Sequence, residues 1–318
     1  MMIPVSPAAM ESSEFKALQQ HYEQAMKHFD LRQAFKTNPN RHAEFTAHLG
    51  DHLLFDYSKN LLDKETLRLL LQLAQTAQVP AKLKAMFNGQ VMNPTEGRAV
   101  LHMALRGSCV GVRAQGQGGD AAVSVDQLVG EQLIKLYRIA MAIRQGEWVS
   151  ATGKSFTTIV NIGIGGSDLG PAMVYEALRH GQEPKLKVHF VSNVDGAQLA
   201  AVLHRIDPER TLFCVVSKTF TTAETMANAN LAKRYLLEKL AGHSQIVERH
   251  FVAVSANAQA MAAFGIDPVA RSVLFWDWVG GRFSVWSGVG LCLAIAFGPE
   301  QFSQLLAGAK LVDDHVLN

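Results

Sequence analysis

The sequence has few cysteines and little net charge, which excludes several classes of protein. Its three cysteines are odd in number, stand far apart and form no CxxC pair. This pattern predicts neither a disulfide framework nor a zinc site. The formal net charge is only +2, and the basic residues form no run, so we expect no nucleic-acid partner. Any anion-binding site would therefore have to be formed by a few neighbouring residues and not by the charge of the whole protein.

The chain also lacks a long apolar run. The longest such stretch, near residues 289–297, is too short to cross a bilayer as a helix. The opening residues lack the basic start and apolar core of a signal peptide. We therefore expect no membrane partner and a cytoplasmic location.

The second half of the chain is rich in alternating strand and helix patterns. Short β-branched runs predict five strands, at residues 157–162, 186–192, 211–217, 250–255 and 272–279. Helical patterns separate the first four strands, at residues 171–180, 196–204 and 222–240. This alternation, with strands that are apolar throughout, predicts an α/β fold: a doubly wound parallel sheet of five strands flanked by helices.

The first half carries helical spacing instead, over residues 12–35 and 61–77. A glycine-rich stretch, residues 113–120, offers little to pack and is the best internal boundary. We therefore expect three parts. They are a helical N-terminal region over residues 1–120, a sheet domain over residues 121–290, and a helical connection over residues 291–318.

Polar residues follow the predicted strands, and the cluster after the third strand is the richest. Its members are Ser217, Lys218, Thr219 and Thr222. In open α/β sheets ligands bind outside the carboxyl ends of the strands, so such clusters should meet at one edge. Lysine and a helix N-terminus both favour anions, and this cluster therefore predicts a site for a phosphate monoester. The alternative is that these hydroxyls only cap helices and turns.

The turn after the first strand is rich in glycine. Gly166 would let the backbone approach a second part of the same ligand, and Ser167 adds a hydroxyl. The turn is not a dinucleotide fingerprint, because Asp168 stands where the third glycine belongs. Residues 153–155 (GKS) resemble the end of a P-loop, but they precede the strand, and the leading glycine is absent.

Two charged residues each have two explanations. Arg282 follows two glycines and an aromatic run, and an arginine in an apolar setting needs an anionic partner. That partner is either Asp277 or negative charge that develops on a substrate. Glu224 either completes a T-x-x-E capping box with Thr221 or takes part in catalysis.

Six blocks of sequence, taken in order, resemble one family, the glucose-6-phosphate isomerases. The blocks are residues 54–60 (LFDYSKN), 93–102 (NPTEGRAVLH), 161–171 (NIGIGGSDLGP), 191–196 (VSNVDG), 217–225 (SKTFTTAET) and 277–290 (DWVGGRFSVWSGVG). The resemblance implies that the sheet domain is of the sugar-isomerase (SIS-like) type. It also implies roles for eight residues: Ser217, Lys218, Thr219 and Thr222 bind the phosphate, Gly166 and Ser167 line the sugar, and Gly281 and Arg282 face the reacting carbons.

The implied reaction is the reversible conversion of glucose 6-phosphate into fructose 6-phosphate, in glycolysis and gluconeogenesis. A base carries a proton between C1 and C2 through an enediolate, which Arg282 would stabilise, and no metal or organic cofactor is required. In this family the glutamate base, a ring-opening histidine and a late lysine lie in a second sheet domain. A further histidine comes from the partner in a homodimer. We therefore expect these residues to lie beyond Asn318, so that this chain holds half a site.

Two other functions remain open. The chain could be a sugar-phosphate-binding module without catalysis, which would bind fructose 6-phosphate without converting it. A nucleotide-dependent dehydrogenase fits less well, because the glycine spacing fails. If a second domain normally covers the last helices, we expect Leu293, Ile295 and Phe297 to be exposed, and the chain to be prone to aggregation or tightly associated in solution.

Overall fold

A computed structural model describes residues 10–51, 53–109, 111–114 and 123–318, and the chain divides into two units. The first unit comprises Met1–Ala99 and Leu311–Asn318, and the second comprises Val100–Lys310. The division thus comes earlier than the expected boundary at residue 120. The reason is that the segment after Ala99 packs into the second unit, where the Leu101 amide donates to the Trp278 carbonyl at 3.1 Å. Most of the glycine-rich stretch, residues 115–120, lies outside the described residues.

The first unit is built from short helices and two small hairpins. Its helices are α1 (Ser13–His21), continued by a π-helical turn (Tyr22–Met26), α2 (Leu31–Thr37), α3 (Arg41–Glu44), α4 (Lys64–Thr76) and α5 (Val79–Phe87). The hairpins pair β1 (Thr46–Leu49) with β2 (Leu53–Asp56), and β3 (Val91–Asn93) with β4 (Arg98–Ala99). Aspartates begin two of these helices, since Asp30 and Asp63 accept hydrogen bonds from the first-turn amides of α2 and α4.

The second unit begins with a 3₁₀ helix (His102–Arg106), a hairpin of β5 (Arg113–Ala114) and β6 (Val123–Ser124), and the long helix α6 (Val125–Gln145). The sheet follows, in the order β7 (Thr158–Ile162), α7 (Gly166–Leu178), β8 (Lys187–Val191), α8 (Gly196–Leu203), a 3₁₀ turn (Pro208–Arg210), β9 (Thr211–Val216), α9 (Ala223–Lys239), α10 (Ile246–His250), β10 (Phe251–Val254), α11 (Ala258–Phe264) and β11 (Ser272–Val273). Two 3₁₀ helices (Gly281–Trp286 and Gly288–Gly290) then lead to α12 (Leu291–Phe297) and α13 (Pro299–Leu317).

The sheet confirms the predicted fold. Its five strands lie in the order β11-β10-β9-β7-β8, and every neighbouring pair is parallel. Alternate residues of the strands enter two separate non-polar clusters. Ile159 and Cys214 face the cluster that contains α6 and α12, whereas Val160 and Phe213 face the cluster that contains α8, α9 and α11. Burial on both faces explains why the strands are apolar throughout.

The fifth strand is shorter than predicted. It was expected over residues 272–279, but the strand covers only Ser272–Val273. The next amide, that of Leu274, donates to the side chain of Gln132 on α6 instead of to a strand. The aromatic residues beyond it then leave the sheet, and Trp276 and Trp278 stack on each other with their rings 4.7 Å apart.

The expectation of an exposed apolar surface near the end of the chain is wrong. Leu293, Ile295 and Phe297 are 1%, 0% and 3% exposed. The reason is that α12 lies inside the non-polar cluster of the second unit, together with α6 and α7, and all seven of its residues are buried. Within the residues that the structure describes, no helix is both long and apolar enough to cross a membrane.

Candidate active site

The loops that follow β9 and β10 are joined at the carboxyl edge of the sheet. The Ser217 amide donates to the Val254 carbonyl at 3.0 Å, which extends the pairing of the two strands by one residue. The Lys218 carbonyl accepts two hydrogen bonds, from the Ala256 amide at 2.9 Å and from the Ser255 hydroxyl at 3.1 Å. The backbone of the predicted phosphate cluster is therefore held against its neighbour in the sheet.

The predicted phosphate cluster lies where α9 begins. Thr222 is the N-cap residue of this 17-residue helix, and its hydroxyl lies 3.2 Å from that of Ser217. The Thr222 side chain makes no capping hydrogen bond within the described part of the chain, so it does not occupy the first-turn amides. Thr222 and Thr219 are exposed, whereas Ser217 is buried and Lys218 is half-buried. Free amides at the start of a long helix attract an anion.

The predicted capping box at this helix is wrong. Because the helix starts at Ala223, the N-cap is Thr222 and not Thr221. The Thr221 hydroxyl instead donates to that of Thr219 at 2.8 Å. Glu224 is an exposed residue of the first turn, where its negative charge is favoured by the helix dipole.

A buried phenylalanine holds the loop between β9 and α9 in place. Phe220 adopts a left-handed backbone conformation, with φ of 54°, which costs a residue with a side chain about 1–3 kcal/mol. Its ring is buried and meets the edge of the Phe264 ring on α11, at 5.8 Å between centres. Burial of such a ring contributes about 1.5–3 kcal/mol, which offsets the backbone cost.

The glycine turn after β7 meets a second glycine from far along the chain. A Cβ atom added to Gly166 would lie 2.1 Å from the carbonyl oxygen of Gly281, so only glycine fits there. The hydroxyl of Ser284 donates to this Gly281 carbonyl at 2.6 Å and lies 3.4 Å from the carbonyl oxygen of Gly166. The structure thus brings Gly166 and Gly281 together, and Ser167 and Arg282 are their neighbours in sequence.

The surroundings of Arg282 and Asp277 contradict the explanation in which Asp277 is the partner of Arg282. Arg282 is exposed on the 3₁₀ helix Gly281–Trp286, so it does not stand in an apolar setting that demands a partner. Asp277 forms an ion pair with Lys218 instead, at 3.5 Å. The Lys218 ammonium also lies 3.4 Å from the Val279 carbonyl oxygen and 5.3 Å from the centre of the Phe275 ring. Lys218 therefore connects the phosphate cluster to the segment that leads to Gly281.

Three polar side chains with no predicted role also contact this edge of the sheet or its loops. The Asn161 side chain donates to the Ser167 carbonyl at 3.2 Å from inside β7. Asp168 is buried in the first turn of α7; burial raises the pKa of its carboxyl, and a hydrogen bond with Ser192 acts in the opposite direction. His102 stacks on Phe283, next to Arg282. Its only sequence signal was its place in the block at residues 93–102.

The site offers positive charge and backbone amides at an exposed edge of the sheet. Lys218, Arg282 and the start of α9 all favour an anion. Across the described ranges, no group of three or more His, Cys, Asp or Glu side chains is arranged to hold a metal ion. The arrangement can bind a phosphate at one end and stabilise negative charge near Arg282 at the other.

Comparison with known proteins agrees with this picture. A family model described as phosphoglucose isomerase matches residues 56–318. Glucose-6-phosphate isomerase from Methylococcus capsulatus is 46% identical over 312 residues, which cover 97% of this chain and 55% of that protein. Glucose-6-phosphate isomerase 1 from Thiobacillus denitrificans is 48% identical over 301 residues, covering 95% of this chain and 53% of that protein.

A solved structure gives the same result. The crystal structure of a glucose-6-phosphate isomerase from Chlamydia trachomatis superposes with a TM-score of 0.78 at 30% identity, over 97% of this chain and 56% of that one. The chain thus spans about half the length of the curated relatives it matches. Since the family model covers most of its residues, the chain belongs to the phosphoglucose isomerase family.

Proposed function

We propose that this chain supplies the phosphate-binding half of a glucose-6-phosphate isomerase. The observation that carries the proposal is the meeting of three loops at the carboxyl edge of the sheet. The loop after β9 brings Lys218 and the start of α9, the turn after β7 brings Gly166, and the segment before α12 brings Arg282. In a hexose 6-phosphate the phosphate on C6 and the reacting carbons C1 and C2 are at opposite ends of the molecule. A site with Lys218 at one end and Arg282 at the other suits this arrangement.

In this proposal each part of the edge contacts a different part of the substrate. The phosphate binds Ser217, Lys218, Thr219, Thr222 and the first amides of α9. Gly166 and Ser167 contact the sugar chain through backbone and hydroxyl groups. Gly281 and Arg282 face C1 and C2. Glu224 is exposed on the first turn of α9, and we assign it no part in the chemistry.

The reaction moves a proton between C2 and C1 while the carbonyl moves from C1 to C2. Removal of the C2 proton leaves an enediolate, whose negative charge the Arg282 guanidinium would stabilise more than it stabilises the neutral substrate. This difference lowers the barrier in both directions. The base lies in the part of the relatives that this chain does not match, and no metal or organic cofactor is part of the proposal, because one base suffices.

Three further proposals follow from the family. The working protein is a homodimer, it acts in the cytoplasm, and it serves glycolysis and gluconeogenesis. The second candidate function is a binding module without catalysis. It is favoured by the observation that the described site has groups that suit a phosphate and an exposed arginine, while the proposal assigns no base within this chain.

The test compares the 318-residue chain with a chimera that adds the unmatched remainder of the Methylococcus capsulatus relative. The folded chain should bind fructose 6-phosphate without converting it, whereas the chimera should isomerise it. Arg282→Ala in the chimera should lower kcat about 100-fold or more, as removal of an oxyanion-stabilising group does. A folded chimera that binds but does not isomerise would favour the binding module, and a chain that fails to bind would contradict both.

A further inference from the structure

Two 3₁₀ helices of the second unit contact each other beside Arg282. The first is His102–Arg106, and the second, Gly281–Trp286, carries Arg282 itself. The His102 ring stacks on the Phe283 ring, with centres 4.3 Å apart and planes 14° from parallel. The Arg106 guanidinium lies 4.4 Å from the centre of the Trp286 ring. Both contacts involve neighbours of Arg282 in sequence, one directly after it and one at the end of its helix.

A hydrogen bond fixes the orientation of the stacked imidazole. The Arg106 Nη2 lies 3.2 Å from His102 Nδ1, and because a guanidinium can only donate, Nδ1 must be the acceptor. The ring proton of the neutral imidazole therefore sits on Nε2. The Arg106 Nη1 also donates to the His102 carbonyl at 3.1 Å. Arg106 is buried, so its guanidinium is confined between its contacts with His102 and the face of Trp286.

Another face of the second 3₁₀ helix contacts α7. Gly281 touches Gly166 through its backbone, and Ser284 donates to Gly281. Arg282 is exposed, so its own side chain contributes little to holding its backbone. The backbone direction at Arg282 therefore depends on α7 on one side and on His102 and Arg106 on the other.

We propose that His102 and Arg106 are positioning residues, which hold the backbone of Arg282 so that its guanidinium points at the charge that forms on the substrate. The inference rests on the proposed function, in which Arg282 faces C1 and C2. The phosphate cluster around Ser217 lies on other loops, after β9 and at the start of α9. Loss of the His102 ring should therefore affect binding at the reacting end of the ligand and spare binding of the phosphate.

Two probes separate these ends in the 318-residue chain. Inorganic phosphate reports on the phosphate cluster alone, whereas 6-phosphogluconate adds a carboxylate at C1 that places negative charge near Arg282. We expect His102→Ala to weaken 6-phosphogluconate binding about tenfold, as small misplacements of a charged group do, and to change phosphate binding less than about twofold. His102→Phe keeps a flat ring over Phe283 and should recover most of the lost affinity.

A double substitution tests whether His102 acts through Arg282. In an Arg282→Ala background, His102→Ala should cause no further loss of 6-phosphogluconate binding, because the group that it positions is gone. Phe283→Leu removes the same stack by changing the other ring. Because Phe283 is exposed, this variant should fold even if the His102 variant does not. It should weaken 6-phosphogluconate binding and leave phosphate binding unchanged.

The outcomes separate this inference from the proposed function. If the unaltered chain binds neither probe, the proposed function fails and this inference fails with it. If Arg282→Ala weakens 6-phosphogluconate binding but the His102 and Phe283 variants leave it unchanged, only the positioning role is overturned. Equal losses for both probes, or additive losses in the double variant, would also overturn it, because they indicate general disruption of the fold.

Discussion

Gly166 and Gly281 are in backbone contact, so close that a Cβ on Gly166 would lie 2.1 Å from the Gly281 carbonyl oxygen. The two residues are far apart in sequence, and each belongs to a different loop of the candidate site. Their contact holds the start of α7 against the helix that carries Arg282. The distance between the glycine turn after β7 and the helix that carries Arg282 is therefore set by the absence of a side chain at Gly166.

Substitution of Gly166 by alanine should disrupt this contact. The new methyl group meets backbone atoms, which cannot move aside cheaply, so we expect a loss of about 1–3 kcal/mol in the free energy of unfolding. Affinity for 6-phosphogluconate should fall as well. Urea denaturation and calorimetric titration measure the two effects.

Gly196→Ala is the matched control. Gly196 is also the first residue of a helix after a strand of the same sheet, but no atom lies within 4 Å of its ideal Cβ position. This variant should be unchanged or about 0.4–1 kcal/mol more stable, because alanine reduces the freedom of the unfolded chain. Equal destabilisation of both variants would show that the Gly281 contact is not the cause.

Lys218→Met should weaken binding of inorganic phosphate about 10- to 100-fold, because a hydrogen bond to a charged group contributes about 1.5–3 kcal/mol. Methionine keeps most of the side-chain length, so packing against Phe275 should survive. The control is Lys187→Met. Lys187 is exposed at the first residue of β8, at the opposite edge of the sheet, and its loss should leave phosphate affinity within twofold. Similar losses in both variants would point to net charge instead of a local site.

The stability of the second unit should fall in mild acid because of His250. This side chain is fully buried; its Nδ1 donates to the Thr211 carbonyl at 2.8 Å, and its Nε2 accepts from the Ala151 amide at 3.1 Å. Burial lowers its pKa below the ordinary value of 6.5, against the hydrogen bond to Thr211, and Arg271 lowers it further. The unfolded chain therefore takes up a proton first, so stability is full above pH 6.5 and is lost as pH falls toward the folded pKa.

Urea denaturation between pH 7.5 and pH 5 measures this loss. His250→Asn removes the titrating group, and although the variant is less stable at pH 7.5, its stability should change less with pH. His243→Asn, in an exposed turn between α9 and α10, should keep the pH dependence of the unaltered chain. If both variants retain the same slope, another group causes the acid loss. His189, whose pKa burial also lowers, would be the next to test.

Truncation of the core helix α12 should cost much more than truncation of an exposed position. Ile295 is 0% exposed, so Ile295→Ala should lower the free energy of unfolding by about 2–5 kcal/mol through lost burial and a new cavity. Leu169, which is 69% exposed on α7, is the control, and Leu169→Ala should change stability by less than about 0.5 kcal/mol. A small effect at Ile295 would mean that α12 is not part of the folded core in solution.

The sheet could be predicted because its signals are local. Buried parallel strands are continuous β-branched runs, and β7 to β10 all lie within the predicted ranges. The length of β11 could not be predicted. The aromatic run after Val273 favours a strand, but the Leu274 amide donates to the Gln132 side chain of α6 instead of to a neighbouring strand. The burial of α12 was missed because an apolar helix has the same sequence whether its own unit or another domain covers it.

The site was predictable only in part, because some of its contacts join segments that are far apart in sequence. Topology alone brings polar loops after parallel strands to one edge, so the phosphate cluster and the glycine turn could be located from sequence. The ion pair of Lys218 with Asp277 and the stack of His102 on Phe283 join segments whose separation follows no spacing rule. Such contacts form between distant segments only once the chain has folded.

In the loop between β9 and α9, the residue that anchors the backbone, Phe220, is different from the residues that expose polar groups. The Phe220 ring is buried against α11, whereas Thr219 and Thr222 are exposed. Over evolutionary time the exposed side chains can therefore be replaced while the amides of the loop stay where they are. The same anchored loop offers protein engineers a scaffold on which a different anion could be recognised, with Phe220 left untouched.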